Sequence, residues 1–278
     1  LGVGALMEKA MPAENTPEQS SWFNRCWRVI ATGFCFSLFG LGGLLLSGVW
    51  FNLMRLAVRD PARRNQLTQS SIRHSFRFFL ATTRFFGVLD YHFDNAERFR
   101  EDRGCLVIAN HPSLLDYVLL ASQMPRCDCI VKEALLSNVF VSGVIKAAGY
   151  LANAQSDILL EQCGQRLAAG GTILIFPEGT RTTPGKALAL QRGAANIALR
   201  GQCSIRIVHI HCHPPMLTKQ GKWYKIPPVK PQFRITVQDK IDTRAFIHAN
   251  DVSPALAARR LTQHLTDALQ SEPINNEK

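Results

Sequence analysis

Hydrophobic positions divide the chain into stretches of different period. Residues 29–54 run for 26 positions without a charge, and about 20 apolar residues suffice to cross the hydrocarbon core of a bilayer. The pattern therefore predicts a membrane helix. Gly33, Gly40, Gly42, Gly43 and Gly48 lie within it and give it a small-residue face suited to close packing against another helix. Residues 66–89 then set Ile72, Phe76, Phe79, Leu80 and Phe86 among Arg73, His74, Arg77 and Arg84. That spacing predicts a basic amphipathic helix at an interface. Two arrangements stay open: a single-span anchor followed by a surface helix, or a helical hairpin dipping into one leaflet.

Beyond Tyr91 short β-branched runs alternate with helical stretches. Strands are expected at 105–109, 128–132, 172–176, 205–212 and 233–238, and helices at 112–123, 134–148, 157–169, 191–200 and 253–270. Such alternation indicates an α/β domain. The expected organisation is a polar N-terminal segment (1–28), a membrane-anchoring helical region (29–90), the α/β domain (91–272) and a short tail (273–278). Residues 226–231, rich in proline, read as a surface connection.

Composition narrows the surroundings. A chain of 278 residues, 46% hydrophobic, can bury one sizeable core, which excludes a wholly disordered chain. The formal net charge of +11 biases the surface toward polyanions, whether nucleic acid or an anionic lipid surface. Arg55, Arg59, Arg63 and Arg64 follow the apolar stretch, whereas Lys9, Arg25 and Arg28 before it are balanced by three glutamates. The positive-inside tendency places the C-terminal bulk in the cytoplasm. The polar leader and the length of the apolar run indicate an uncleaved anchor; the first residue is Leu, and Met7 and Met11 are candidate starts. The eight cysteines are scattered and read as reduced thiols. Cys127 and Cys129 form only C-x-C, with no second pair at zinc-binding spacing.

Two segments carry chemistry. The run at 105–109 leads directly into Asn110, His111, Pro112, Ser113, Leu114, Leu115 and Asp116. A strand-to-helix turn can fold the Asp116 carboxylate back to the His111 imidazole. The carboxylate then fixes the tautomer and stabilises the protonated ring, leaving the other nitrogen to take a proton from a hydroxyl. By itself an H-x4-D spacing is equally a chance pair or a helix cap. The run at 172–176 leads into Pro177, Glu178, Gly179, Thr180 and Arg181, where glycine permits close backbone approach and arginine offers a planar fork for phosphate or carboxylate. A plain β-turn with Arg181 paired to Glu178 is the alternative.

Taken together, in this order and about 65 residues apart, the two segments resemble the glycerolipid acyltransferases, the family that contains the 1-acylglycerol-3-phosphate acyltransferases. The N-H-x4-D box matches Asn110 to Asp116, and the F-P-E-G-T-R box matches Phe176 to Arg181 without a change. Lys132, Glu133, Ala134 and Leu135 with Gly143 and Gly149 resemble the family's second block, and Gln191, Arg192, Gly193 and Ala194 resemble its K-x-G-A segment. The likeness spans roughly residues 90–215. It implies a mixed β-sheet flanked by helices behind an N-terminal hydrophobic helical membrane anchor, on the cytoplasmic side of the inner membrane. It implies His111 as base, Asp116 as its orienter, and Asn110, Glu178, Gly179, Thr180 and Arg181 as substrate contacts. The acyl group would come from acyl-CoA or acyl carrier protein as co-substrate, with no metal and no cofactor. Partners would be anionic membrane lipid and the acyl donor, with no nucleic acid.

The chain also departs from the pattern. Gly149, Tyr150, Leu151, Ala152, Asn153 and Ala154 lack the Asp-Arg that follows the second-block glycine in members acting on glycerol phosphates. Loss of one cationic contact weakens phosphate recognition by about 1.5–3 kcal/mol. His209, His211 and His213 share one face of a strand and read as a polar wall, ordinary hydrogen-bonded histidines, or a metal site without an evident fourth ligand. The G-Y-L-x-N variant resembles a subgroup found with aryl-polyene lipid pathways, which implies a different lipid hydroxyl as acceptor. Two other functions compete. A hydrolase would need Ser113 as nucleophile but has no G-x-S-x-G elbow; a binding protein would leave both boxes unexplained.

Overall fold

The computed structural model describes residues 22–131, 133–152, 156–183, 185–247 and 253–271. The leader up to residue 21, Lys132 of the second block, Asn153 and Ala154 of its departure, and the tail lie outside the described residues. The chain runs through helices α1 (Trp22–Leu45), α2 (Phe51–Ala57) and α3 (Pro61–Phe85), then strand β1 (Asp90–Asp94). A π-helical turn at Leu46–Trp50 joins α1 to α2 as one continuous helix, Trp22–Ala57. There follow β2 (Cys105–Ala109), α4 (Asp116–Gln123), β3 (Asp128–Val131), α5 (Ser142–Ala148), β4 (Leu151–Ala152), α6 (Ser156–Ala168), β5 (Thr172–Ile175) and α7 (Gly193–Arg200). Long strands β6 (Ser204–His213) and β7 (Gln232–Ile241), short α8 (Arg244–Ile247) and α9 (Pro254–Gln270) complete it.

Seven strands form one sheet in the order β1-β7-β6-β2-β5-β3-β4. All pairs are parallel except β6 with β7. The sheet is therefore mixed, as expected. All five residues of β2 are fully buried because helices cover both faces. Val107 and Ala109 point into a core shared with α3 and α4, whereas Leu106 and Ile108 point into a second core shared with α6, α7 and α9. Alternation with period two in a strand buried on both sides explains the unbroken apolar run.

The helix expected at an interface, 66–89, differs most from expectation. Asp60 caps α3 by accepting from the Ala62 and Arg63 amides, and Pro61 occupies its first turn, where a missing N–H costs nothing. Its apolar stripe, Ile72, Phe76, Phe79 and Leu80, is turned inward and joins the core that holds α4 and the sheet. Ala31, Cys35, Phe51 and Met54 of the N-terminal helix belong to the same core, so apolar packing runs continuously across residue 90. Three of the five glycines meet the close approach foreseen, a Cβ on Gly40 standing 3.4 Å from the Phe140 ring. A Cβ on Gly43 would stand 2.7 Å from the Phe140 carbonyl, and one on Gly33 would stand 3.5 Å from the Trp223 ring. The partner is a turn and a loop of the α/β domain rather than a second membrane helix.

Two helices are also shorter than the pattern predicts. The stretch 134–148 breaks at Asn138, whose side chain accepts from the Phe140 amide and competes with helical bonding. The other, 112–123, begins only at Asp116, because that carboxylate turns back onto the Ser113 amide.

At the far end of the sheet Arg206 and Asp102 form a buried bidentate pair, 2.6 and 2.9 Å at the shortest contacts, with Lys240 also 3.1 Å from the carboxylate. Arg206 donates further to the Gln238 and Arg98 carbonyls. Replacement Asp102→Ala leaves a buried guanidinium without its counter-charge and is expected to cost about 3–5 kcal/mol, read as a lowered unfolding midpoint.

Candidate active site

Parallel neighbours β2 and β5 end at the same edge of the sheet, and their outgoing turns carry the two motifs. The turns are tied through the main chain of His111. Its N–H donates to Glu178 Oε1 at 3.0 Å and to Thr182 Oγ1 at 3.1 Å. Its carbonyl accepts from the Thr182 N–H at 2.7 Å. Thr182 Oγ1 in turn donates to Glu178 Oε1 at 2.6 Å. Glu178 therefore holds the His111 loop, and no ion pair forms between it and Arg181. Thr182, one residue beyond the box, was not singled out from the sequence; nothing in the residue order reveals a bond spanning 71 positions.

The His111 ring stacks on Phe176, with centroids 4.1 Å apart and planes 18° from parallel. Its Nδ1 lies 2.8 Å from Asp116 Oδ2, which also accepts from the Ser113 amide at 2.7 Å. The Asp116 side chain is fully buried and that of His111 is 18% exposed. Burial pushes the Asp116 carboxyl up to about 6, opposed by its bond with His111. The second oxygen, Oδ1, is buried without a partner among the described residues. With Nδ1 committed to the carboxylate, Nε2 is the nitrogen left to accept a proton.

The remaining candidates have distinct surroundings. Asn110 is clamped to β6: Nδ2 donates to the Ile210 carbonyl and Oδ1 accepts from the Ile210 N–H, both at 2.7 Å. Only its second N–H is left to offer a substrate. Gly179 adopts φ +67°, so the turn favours glycine; a Cβ there would stand 2.4 Å from Nε2 at the movable end of the exposed Gln191 side chain. Thr180 is half-buried beside it. Arg181 Nη1 donates to the Leu217 and Thr218 carbonyls at 2.9 and 3.0 Å. Among the described residues no carboxylate pairs with it, so the rest of the guanidinium fork is available to an anion. Leu217 holds φ +52°, an unusual conformation for a branched side chain; its carbonyl also accepts from the Leu114 N–H.

The alternatives fare unequally. Ser113 is fully buried and its hydroxyl accepts from the Leu115 amide, so it presents no nucleophile beside His111. His211 and His213 stack at 6.4 Å, while burial holds His209 below its ordinary value. Among the described residues no group of three or more His, Cys, Asp or Glu side chains is arranged to hold a metal.

Residues 90–211 match the family model described as Acyltransferase. That match covers less than half of the chain and likens this segment to acyltransferase-family domains. The chain is 29% identical over 135 residues to human 1-acyl-sn-glycerol-3-phosphate acyltransferase beta, across 46% of this chain and 49% of that protein. It is 33% identical over 108 residues to a Helicobacter pylori 1-acyl-sn-glycerol-3-phosphate acyltransferase, across 36% and 46%. The chain thus spans about half the length of the curated relatives it matches. Its fold resembles the crystal structure of the 1-acyl-sn-glycerophosphate (LPA) acyltransferase PlsC from Thermotoga maritima, with TM-score 0.62 over 88% of this chain and 100% of that one. At 18% identity that likeness is one of fold. The matched segment holds both motifs and most of the sheet.

Substitution Gly179→Ala at the domain's second motif turn is expected to cost about 1–3 kcal/mol from strained backbone. It should also release Glu178 from the His111 amide, read as faster hydrogen exchange at His111.

Proposed function

We propose that the protein is a membrane-associated O-acyltransferase that moves a fatty acyl group from an acyl thioester to the free hydroxyl of a lysophospholipid, 1-acyl-sn-glycerol-3-phosphate first among them. The observation that carries the reading is the His111–Asp116 dyad, with Nε2 unengaged and no protein nucleophile beside it. A base without a nucleophile suits direct transfer between two substrates. His111 Nε2 takes the acceptor's hydroxyl proton as that oxygen attacks the thioester carbonyl; the C–S bond breaks, and the leaving thiolate recovers the proton from the imidazolium. Asp116 stabilises the imidazolium in between. The free edge of Arg181 suits the acceptor's phosphate, and the names of the relatives support that acceptor. Acyl-CoA and acyl carrier protein both fit as donor.

The N-terminal helix and its flanking arginines support placement at the cytoplasmic face of an inner membrane. Helix Trp22–Ala57 is long and apolar enough to cross a bilayer, yet its 36 residues extend about 54 Å, well beyond a hydrocarbon core of about 30 Å. One stripe, including Phe23, Trp27, Phe34, Leu41, Leu45 and Leu56, is exposed, and on the opposite side Ala31, Cys35, Phe51 and Met54 join the core shared with α3 and the sheet. A helix so covered favours immersion in one leaflet over a free crossing.

Three outcomes test the reading. In detergent, with labelled acyl-CoA and acyl carrier protein offered to lysophosphatidic acid and to lipid alcohols lacking phosphate, His111→Ala should lower transfer by about 10²–10⁴-fold. Transfer that persists in the variant would exclude the mechanism, and wild-type transfer only to phosphate-free alcohols would shift the acceptor to another lipid hydroxyl. Replacement Arg181→Lys should raise KM for the phosphate acceptor about tenfold with little change for the donor, because an ammonium lacks the planar fork. The working dyad carries an ionised Asp116 and a neutral ring, so kcat/KM should be level above about pH 6. Below it the value should fall roughly tenfold per unit as the dyad takes up a proton.

A further inference from the structure

The connection between β6 and β7, from Met216 to Pro231, touches the catalytic edge at one end and the N-terminal helix at the other. At its start the Leu217 and Thr218 carbonyls hold Arg181. Toward its end the Pro227 and Pro228 carbonyls accept from buried Arg28 of α1 at 2.6 and 2.8 Å. Between these anchors lie Lys219, Lys222, Trp223, Tyr224 and Lys225, all exposed. Trp223 leans on α1, 3.5 Å from the place of a Gly33 Cβ and edge-on to Phe36 at 6.2 Å, while 48% of it remains exposed. Tyr224 packs edge-on against Trp223 at 5.7 Å, and Lys222 Nζ lies 5.7 Å from the Tyr224 ring centroid. Among the described residues no carboxylate pairs with Lys219, Lys222 or Lys225, whereas Lys230 at the foot of the connection does pair, with Asp90.

Unpaired lysines alone are compatible with any anion. Here they flank two half-exposed aromatics that rest on a helix whose outer stripe is apolar, and that combination matches one environment. Tryptophan and tyrosine settle at the headgroup level of a bilayer, and lysines beside them meet anionic headgroups. We propose that Lys219, Lys222, Trp223, Tyr224 and Lys225 form a contact surface for anionic phospholipid headgroups, which seats the Arg181 edge of the site at the membrane surface. The inference rests on the membrane-lipid reading above and adds the residues that read lipid charge.

The test is sedimentation of the full-length protein with vesicles of phosphatidylcholine, with and without phosphatidylglycerol, at low and high salt. Wild type is compared with a Lys219→Gln, Lys222→Gln, Lys225→Gln triple variant and with Trp223→Ala. Each lysine near an anionic surface is worth about fivefold in partitioning. The triple variant should therefore lose on the order of a hundredfold on anionic vesicles at low salt, with little change on neutral vesicles, where α1 still binds. Screening by high salt should erase the difference. Trp223→Ala should weaken binding to both vesicle types.

A triple variant that keeps the full anionic preference would overturn the proposal. So would one whose only defect is a raised KM for acyl carrier protein in detergent, which would make the surface a carrier-docking patch. Vesicle binding is read without turnover, and transfer to micellar lysophosphatidic acid is read without vesicles. Loss of the proposed enzyme activity in wild type therefore leaves this inference standing, and unchanged vesicle binding leaves the enzyme reading standing.

Discussion

The hydrogen bonds at the main chain of His111 set the geometry of the whole catalytic edge, because they are made by backbone groups that cannot rotate away. Its N–H and carbonyl are both taken by the turn from Glu178 to Thr182. Two turns that leave neighbouring parallel strands thereby become one rigid piece. Phe176 then lies flat against the imidazole, Asp116 reaches Nδ1 from the next helix, and Arg181 is carried to the Leu217 and Thr218 carbonyls. Glycine at 179 suits this arrangement, because the backbone there holds a positive φ that other residues adopt only with strain.

Two buried carboxylates on either side of β2 are treated in opposite ways. Asp102 meets a bidentate guanidinium and a lysine, so its charge is compensated and its role is to hold strands together. Asp116 has only a histidine and one amide, with an oxygen left unpartnered. Its charged form is consequently costly, and burial raises its pKa to about 6. A carboxylate in that state gains from a neighbour that becomes cationic, which is what an imidazole does while it holds a substrate proton. The incomplete solvation of Asp116 thus belongs to the proposed chemistry.

The N-terminal helices are part of the same construction. Helix α3 supplies core residues to the sheet, and the helix before it leaves one apolar stripe outward while its inner side packs on the domain. Through Arg28 and Trp223 it also grips the connection that ends at Arg181. The exposed apolar stripe and the Arg181 edge are therefore separated by one short segment of chain, which suits a site whose proposed substrates arrive from a membrane.

Local chemistry was legible in the residue order. Short β-branched runs marked β2, β3, β5, β6 and β7, unbroken in β2, where both faces are buried, and interrupted by polar residues in β6 and β7. The two boxes marked the turns after β2 and β5, because the loop residues there are too particular to serve packing alone. The helix expected at 253–270 matches α9, where the Ser253 hydroxyl accepts from the Leu256 amide. Short strands such as β1, with Asp90, His92 and Asp94, went unseen because their polar residues mask the period. The inward turn of α3 was equally hidden, since an amphipathic stripe fits a lipid surface and a protein core alike and only the neighbouring helix decides between them. Thr182, the Asn110 clamp on Ile210 and the Arg181 seat on Leu217 depend on contacts between residues 36 to 100 positions apart. Such contacts arise from strand order, which no local pattern encodes: the sequence alone determined which groups are able to react, and the tertiary structure decided which of them meet.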